Sequence, residues 1–232
     1  MKTTWLHDLF DLFFPNLCFA CQKRELQKNA VLCYACHRSL PTTDMHTMKE
    51  NRFTDRFFGR VYLQAGAALY HFKEDTAVQQ LIHQFKYEDK PKIGRILGEQ
   101  YGHQLMKNEQ FSSVDLIVPV PLHPKKERQR GYNQSDFFAK GLANSMKKPW
   151  LKTGLKRTKY GESQTRKSQT DRFQNVLESF DLRDNAALEG KHILIVDDVL
   201  TTGATLEACA SKVLSLPNTK VSMATIAIAG TI

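Results

Sequence analysis

The chain has 232 residues, 41% of them hydrophobic and 25% charged, with a formal net charge of +9. That length is enough for one α/β core with a small module or for two modest domains, and the apolar content is too high for a disordered chain. No stretch approaches the ~20 apolar residues needed to cross a bilayer, and no secretory signal is visible, so we expect a soluble cytoplasmic protein without a membrane span.

Taken in chain order, the first segment places Trp5, Leu9, Leu12 and Phe13 on one helical face. Asp8 and Asp11 interrupt it and Pro15 ends it. Its polar face is acidic, which favours packing on a neighbouring module over a membrane surface. Next come two C-x-x-C pairs, Cys18 with Cys21 and Cys33 with Cys36, eleven residues apart. Each pair presents two thiolates from a tight knuckle, and two knuckles supply a tetrahedral Zn²⁺ site. Four sulfur ligands close the coordination sphere, so the expected role is structural, and His37 beside the last cysteine finds no vacancy. Two disulfides or four free thiols are the alternatives, and the lack of a secretory signal favours zinc. Residues 42–56 are polar without clear period and read as a connector. The expected division is therefore 1–56, with N-terminal helix, zinc module and connector, and 57–232, the main domain.

In the main domain apolar strands alternate with helical patterns. Val61 to Phe72 reads as one or two strands. Val78, Leu81, Ile82 and Phe85 form a helical stripe. Pro91 suits the first turn of a further helix on which Gly94, Gly98 and Gly102 recur every four residues, a spacing that permits close packing. Leu116, Ile117 and Val118 read as a strand, Phe138, Leu142 and Met146 as a helix, and 221–229 as a last strand. This alternation predicts an α/β fold with a mostly parallel twisted sheet flanked by helices. Pro119, Val120, Pro121 and Pro124 belong to a stiff loop leading to Lys125, Lys126, Arg128 and Arg130, which could hold a pyrophosphate or a nucleic-acid backbone. Residues 155–168 are polar and cation-rich and read as a mobile loop able to close over an anion.

The most informative run is 193–205. Ile193, Leu194, Ile195 and Val196 suit a strand buried on both faces of a parallel sheet. Asp197 and Asp198 follow where that strand would end. A loop of hydroxyls around Gly203 then opens onto a helix carrying Leu206, Cys209, Val213 and Leu214, with Cys209 expected as a small buried hydrophobe. Ligands of open α/β sheets bind outside the carboxyl ends of strands, and a small-residue loop at a helix N-terminus offers N–H groups to an anion. The layout is that of a sugar-phosphate site. No G-x-x-x-x-G-K-[ST] or G-x-G-x-x-G competes with it.

The run Val-Asp-Asp-Val-Leu-Thr-Thr-Gly-Ala-Thr resembles the binding motif of type I phosphoribosyltransferases for 5-phosphoribosyl-1-pyrophosphate (PRPP). The resemblance implies Asp197 and Asp198 at the ribose hydroxyls and Mg²⁺, and Thr201, Thr202, Gly203, Ala204 and Thr205 around the 5′-phosphate. One departure is visible. Members acting on 6-oxopurines carry an acid where this chain has Thr201, so hypoxanthine or guanine salvage is not the expectation. The paired cysteines, the segment Leu81-Ile82-His83-Gln84-Phe85-Lys86-Tyr87, the proline loop with Arg130-Gly131-Tyr132-Asn133-Gln134, then Arg157 with Gln164-Thr165, Asn175-Val176 and the acid pair occur in the order of the ComF family. That likeness runs from about residue 9 to residue 229. It implies a bacterial PRPP-binding protein with a zinc segment, linked to DNA uptake and natural transformation. Pro119, Val120, Lys86, Arg130 and Arg157 are the further candidates for holding PRPP.

Charge is concentrated. Residues 125–172 hold fourteen Lys or Arg against four Asp or Glu, an excess of +10 that alone exceeds the whole-chain value. Such a field attracts a polyanion, either PRPP or single-stranded DNA, and Tyr132, Phe137, Phe138, Trp150 and Tyr160 are interspersed as potential base-stacking partners. Two function classes follow. One is a binding factor in transformation that works with DNA and other competence proteins. The other is an active phosphoribosyltransferase of nucleotide metabolism with an unidentified acceptor, acting mainly by positioning and electrostatics.

Overall fold

The computed structural model of the protein describes residues 15–27, 30–159 and 178–230. The expected N-terminal helix, and most of the polar loop that follows Arg157, lie outside these residues. Among them, four strands form a parallel sheet in the order β1 (Gly66–Phe72), β6 (Lys220–Ala229), β5 (His192–Leu200) and β2 (Leu116–Pro119). A separate antiparallel ribbon joins β3 (Leu155–Arg157) to β4 (Phe180–Leu182). The helices, in chain order, are α1 (Tyr34–Ser39), α2 (Arg52–Asp55), α3 (Ala77–Tyr87), α4 (Pro91–Leu105), α5 (Glu109–Ser112), α6 (Pro124–Arg130), α7 (Gln134–Met146), α8 (Asn185–Leu188) and α9 (Ala204–Leu214). The parallel sheet with flanking helices is the architecture that the alternating pattern predicts.

The apolar residues explain the layering. Ile193, Leu194, Ile195 and Val196 are fully buried in β5, a central strand paired on both sides, as a run without polar alternation requires. Helix α3 buries Val78, Leu81, Ile82 and Phe85, the stripe read from sequence. Helices α4 and α7 pack closely through glycine. A Cβ on Gly98 would lie 2.9 Å from the Leu142 amide nitrogen and 3.0 Å from the Gly141 Cα, so only hydrogen allows the two backbones to meet. That contact fixes α7, whose N-terminus points into the site.

Two expectations need correction. Residues 42–56 are not a free connector. Thr42 bridges to Tyr70, and the Thr43 amide donates to the Leu69 carbonyl at 2.9 Å. Buried Asn51 caps α2 and donates to the carbonyls of Met45, Met48 and Gly66 at 3.0–3.1 Å. Phe53 and Phe57 then enter the core, each worth roughly 1.5–3 kcal/mol of burial. The pattern is illegible in sequence because the segment is held by a few single side chains rather than by a repeating stripe. Strand β1 begins only at Gly66, so 61–65 are not strand. The cations after the proline loop sit on α6, which starts at Pro124, is capped by His123 and ends at left-handed Gly131, φ +83°.

Candidate functional site

Strand β5 keeps pairing with β6 as far as Leu200, whereas β2 stops at Pro119 opposite Val196. The acid pair therefore lies within the strand, on an edge left open to α7. Successive strand residues face opposite sides, and the two acids have different partners. Asp197 accepts from the Ser135 hydroxyl at 2.9 Å and from the Asp198 amide at 2.8 Å. Asp198 pairs with the Lys86 ammonium of α3 at 3.0 Å. Burial, and after it the charge of Asp198, pushes the Asp197 carboxyl up to about 7 despite hydrogen bonds from Asp198 and Ser135 and the nearby Lys86. Asp197 therefore keeps its proton to higher pH than an ordinary carboxyl, and a cation arriving beside it favours the ionised form.

Beyond Leu200 the chain turns through Thr201 and Thr202, both exposed, to Gly203 at φ +89°, which caps α9. A hollow of about 40 Å³ is lined by Asp197 and residues 199–206. It is small, and a larger groove of about 650 Å³ runs past Lys49, Phe58 and Tyr62. That groove has neither the acid pair nor a helix N-terminus, so chemistry rather than volume marks the site.

Cations border the acids. Lys126 is held below its ordinary range by burial and then by the charges of Arg130, Arg157 and Lys86, with Asp198 opposing. Four cations from α3, α6 and β3 therefore share one field, the arrangement a multiply charged anion requires. Arg130 donates to Gln134 at 2.6 Å and lies 5.2 Å from the centroid of the Tyr87 ring. Arg157 lies 5.1 Å from the Phe180 centroid, and its buried Nε has no partner among the described residues. Pro119 and Val120 are buried beside them. The Val120 amide donates to the Val196 carbonyl at 2.9 Å, and Asn133 donates to the Val120 carbonyl at 3.0 Å, so the proline loop is fixed to both β5 and α7.

The sequence reading of the acids, the loop, Lys86, Arg130 and Arg157 brings together residues that are neighbours here. It misses Ser135, and it names Lys126 only as one of a basic run. The N-cap signal at Asn133 marks where α7 begins, and the first turn of a helix aimed at a strand end is the available clue for Ser135. The aromatic reading is corrected in part. Tyr132 is buried, with its hydroxyl donating to the Phe85 carbonyl, and Phe138 is fully buried, so neither can stack a base. Phe137 and Trp150 are half-buried under Lys140, at 5.0 and 5.2 Å from the ring centroids. Tyr160 lies outside the described residues.

The four N-terminal cysteines converge. Their sulfurs lie within 4.8 Å of one another, with Cys21 and Cys33 at 4.0 Å, close to the ~3.8 Å expected between thiolates on one tetrahedral Zn²⁺. The Cys33 amide points at the Cys18 sulfur at 3.3 Å, and a backbone hydrogen bond at Lys23 is the main cause lowering Cys21 to about 7. Both features favour thiolates, whereas burial and then the neighbouring sulfurs push Cys36 up; a cation among the four sulfurs would offset that cost, so the donor set fits a metal. Cys209 is fully buried on α9.

The family described as "Phosphoribosyl transferase domain" matches residues 134–228, from α7 through the acid pair to β6. Competence protein F of Haemophilus influenzae is 28% identical over 206 residues, covering 84% of this chain and 89% of that protein. DNA utilization protein YhgH of Escherichia coli K12 is 31% identical over 137 residues, 58% of this chain and 60% of its own length. Competence protein ComFC of Bacillus subtilis is 24% identical, covering 84% of this chain and 76% of that protein. Among solved structures, a glutamine PRPP amidotransferase from B. subtilis complexed with ADP and GMP aligns with TM-score 0.43 and 21% identity, over 62% of this chain and 30% of that one.

Proposed function

We propose that the chain is a ComF-family, phosphoribosyltransferase-like protein that binds PRPP with Mg²⁺ at the acid pair while serving DNA uptake in natural transformation. The observation that carries this reading is the convergence on one strand end of Asp197, Asp198, the phosphate loop and four cations. Asp197 and Asp198 hold the ribose hydroxyls and the Mg²⁺ side of PRPP, and Lys86 shifts from Asp198 to the ligand. Thr201, Thr202, Gly203, Ala204 and Thr205 take the 5′-phosphate on the N-terminus of α9. Lys126, Arg130 and Arg157, with the rigid Pro119–Val120 loop, take the pyrophosphate. Asp197 and Asp198 would hold the Mg²⁺, which would supply charge neutralisation for the diphosphate. Zn²⁺ held by Cys18, Cys21, Cys33 and Cys36 is structural, and cysteines arranged for a metal rather than for disulfides support a cytoplasmic protein.

The second reading, transfer of the phosphoribosyl group to an acceptor, uses the same residues. The cation group that holds pyrophosphate as a ligand would also stabilise it as a leaving group. Equilibrium dialysis with radiolabelled PRPP tests the binding common to both. Binding should require Mg²⁺ and be displaced separately by ribose 5-phosphate and by pyrophosphate. Pyrophosphate release with a nucleobase panel then distinguishes a transferase from a binding factor. No Mg²⁺-dependent retention of PRPP would remove the basis of either reading.

A further inference from the structure

The loop around Gly203 is held from outside by a segment that carries no motif. The two terminal nitrogens of Arg56 donate to the carbonyls of Thr201 and Ala229. Strands β5 and β6 pair last at Leu200 opposite Ile228, so Thr201 and Ala229 stand at the next step, where the ladder ends. The planar guanidinium fork spans the two carbonyls at the point where the strands part. The adjacent Phe57 packs on Gly203, where an added Cβ would meet the ring at 3.1 Å. Arg60 then pairs with the buried Glu207 of α9 at 2.7 Å. One short stretch after α2 thus grips the start, the middle and the helical end of the loop.

From this we infer that Arg56 is a positioning residue for 5′-phosphate binding, acting through the Thr201–Thr202 peptide. In a planar trans peptide the carbonyl and the following N–H point in opposite directions. Fixing the Thr201 carbonyl outward on Arg56 therefore directs the Thr202 N–H away from Arg56, toward the side on which the loop closes. Without the brace that exposed peptide can turn its carbonyl toward the anion, where it repels. Donors set before the ligand arrives cost less to order on binding. The fork also places a positive charge behind the loop.

This inference rests on the PRPP reading of the site, and the test separates the two. Arg56→Gln and Arg56→Lys are titrated by calorimetry with ribose 5-phosphate and, separately, with Mg²⁺·pyrophosphate. Arg56→Gln should weaken ribose 5-phosphate by at least about tenfold while Mg²⁺·pyrophosphate, which on the same reading is taken by Lys126, Arg130 and Arg157 and not by the loop, changes by less than about twofold. Arg56→Lys keeps the charge and one donor and should recover part of the loss, and it serves alone if Arg56→Gln fails to fold. Unchanged ribose 5-phosphate affinity in the variants, or an equal loss for both ligands, would overturn the brace. A parent protein that binds neither ligand would overturn the PRPP reading itself, and the brace with it.

Discussion

At the residue scale the site divides into what the chain announces and what the fold assembles. The acid pair, Thr201, Thr202, Gly203, Ala204 and Thr205 are contiguous, so their chemistry is legible in the order of residues alone. Ser135 and Arg56 are not legible in that way, because each meets its partner across a long separation, 62 residues to Asp197 and 145 to Thr201. Neither has a local signature, since one reads as part of a helix start and the other as one cation in a polar stretch. His192 shows the same effect away from the site. Its ring lies 3.1 Å from the Ser113 hydroxyl and 2.8 Å from that of Ser222. Burial holds its pKa below the usual 6.5, with Asp115 opposing and Lys220 and Lys148 adding to the effect. The unfolded chain therefore binds the proton more tightly than the folded one. The contribution of His192 to stability is complete above about pH 6.5 and is lost as the pH falls below it. In urea unfolding followed from pH 8 to pH 5, His192→Gln should show a shallower acid-side loss than the parent. Parallel pH curves would show that His192 does not titrate differently on folding.

At the element scale the strong periodic segments appear where the pattern places them. Helices α3, α4 and α7 and strands β2, β5 and β6 each present an apolar face or run that one layer of the core explains. The failures share a cause. Residues 42–57 fold through the Asn51 side chain and the phenylalanines Phe53 and Phe57, and α6 through an N-cap histidine, so neither leaves a period to read. The cysteine module is the reverse case, with spacing legible and the convergence of the four sulfurs visible only in the fold. A unit this small buries too little to fold unaided, so zinc binding and folding of the module should be linked. Protein purified under reducing conditions should carry about one zinc per chain by metal analysis. Cys33→Ser should lose it and expose the first forty or so residues to protease, leaving the sheet domain intact. A zinc-free module that resists protease would contradict the assignment.

At the scale of the whole molecule, charge connects the site to a polyanion. The +10 excess over residues 125–172 remains, but the structure engages part of it. Lys152 pairs with Glu127 and Asp136 at 2.9 Å, Lys156 with Asp181 and Lys159 with Glu178. The cations of α6 lie beside the proposed PRPP site, so any DNA surface there overlaps it. Single-stranded DNA should bind with log K falling by ~0.7 per phosphate neutralised as log salt rises. Changing Lys125, Lys126, Arg128 and Arg130 together to Ser should lower both affinity and slope in fluorescence anisotropy. A variant that follows the parent across the salt series would place DNA elsewhere. All of this depends on the acid pair being a PRPP site. The direct measurement is calorimetric titration of PRPP·Mg²⁺ into the parent and into the double variant Asp197→Asn, Asp198→Asn, whose amides keep the shape and remove the charge. We expect saturable binding in the parent and at least a tenfold loss in the variant, or ~1.4 kcal/mol. Equal affinity in the two proteins, or no binding in the parent, would contradict the account.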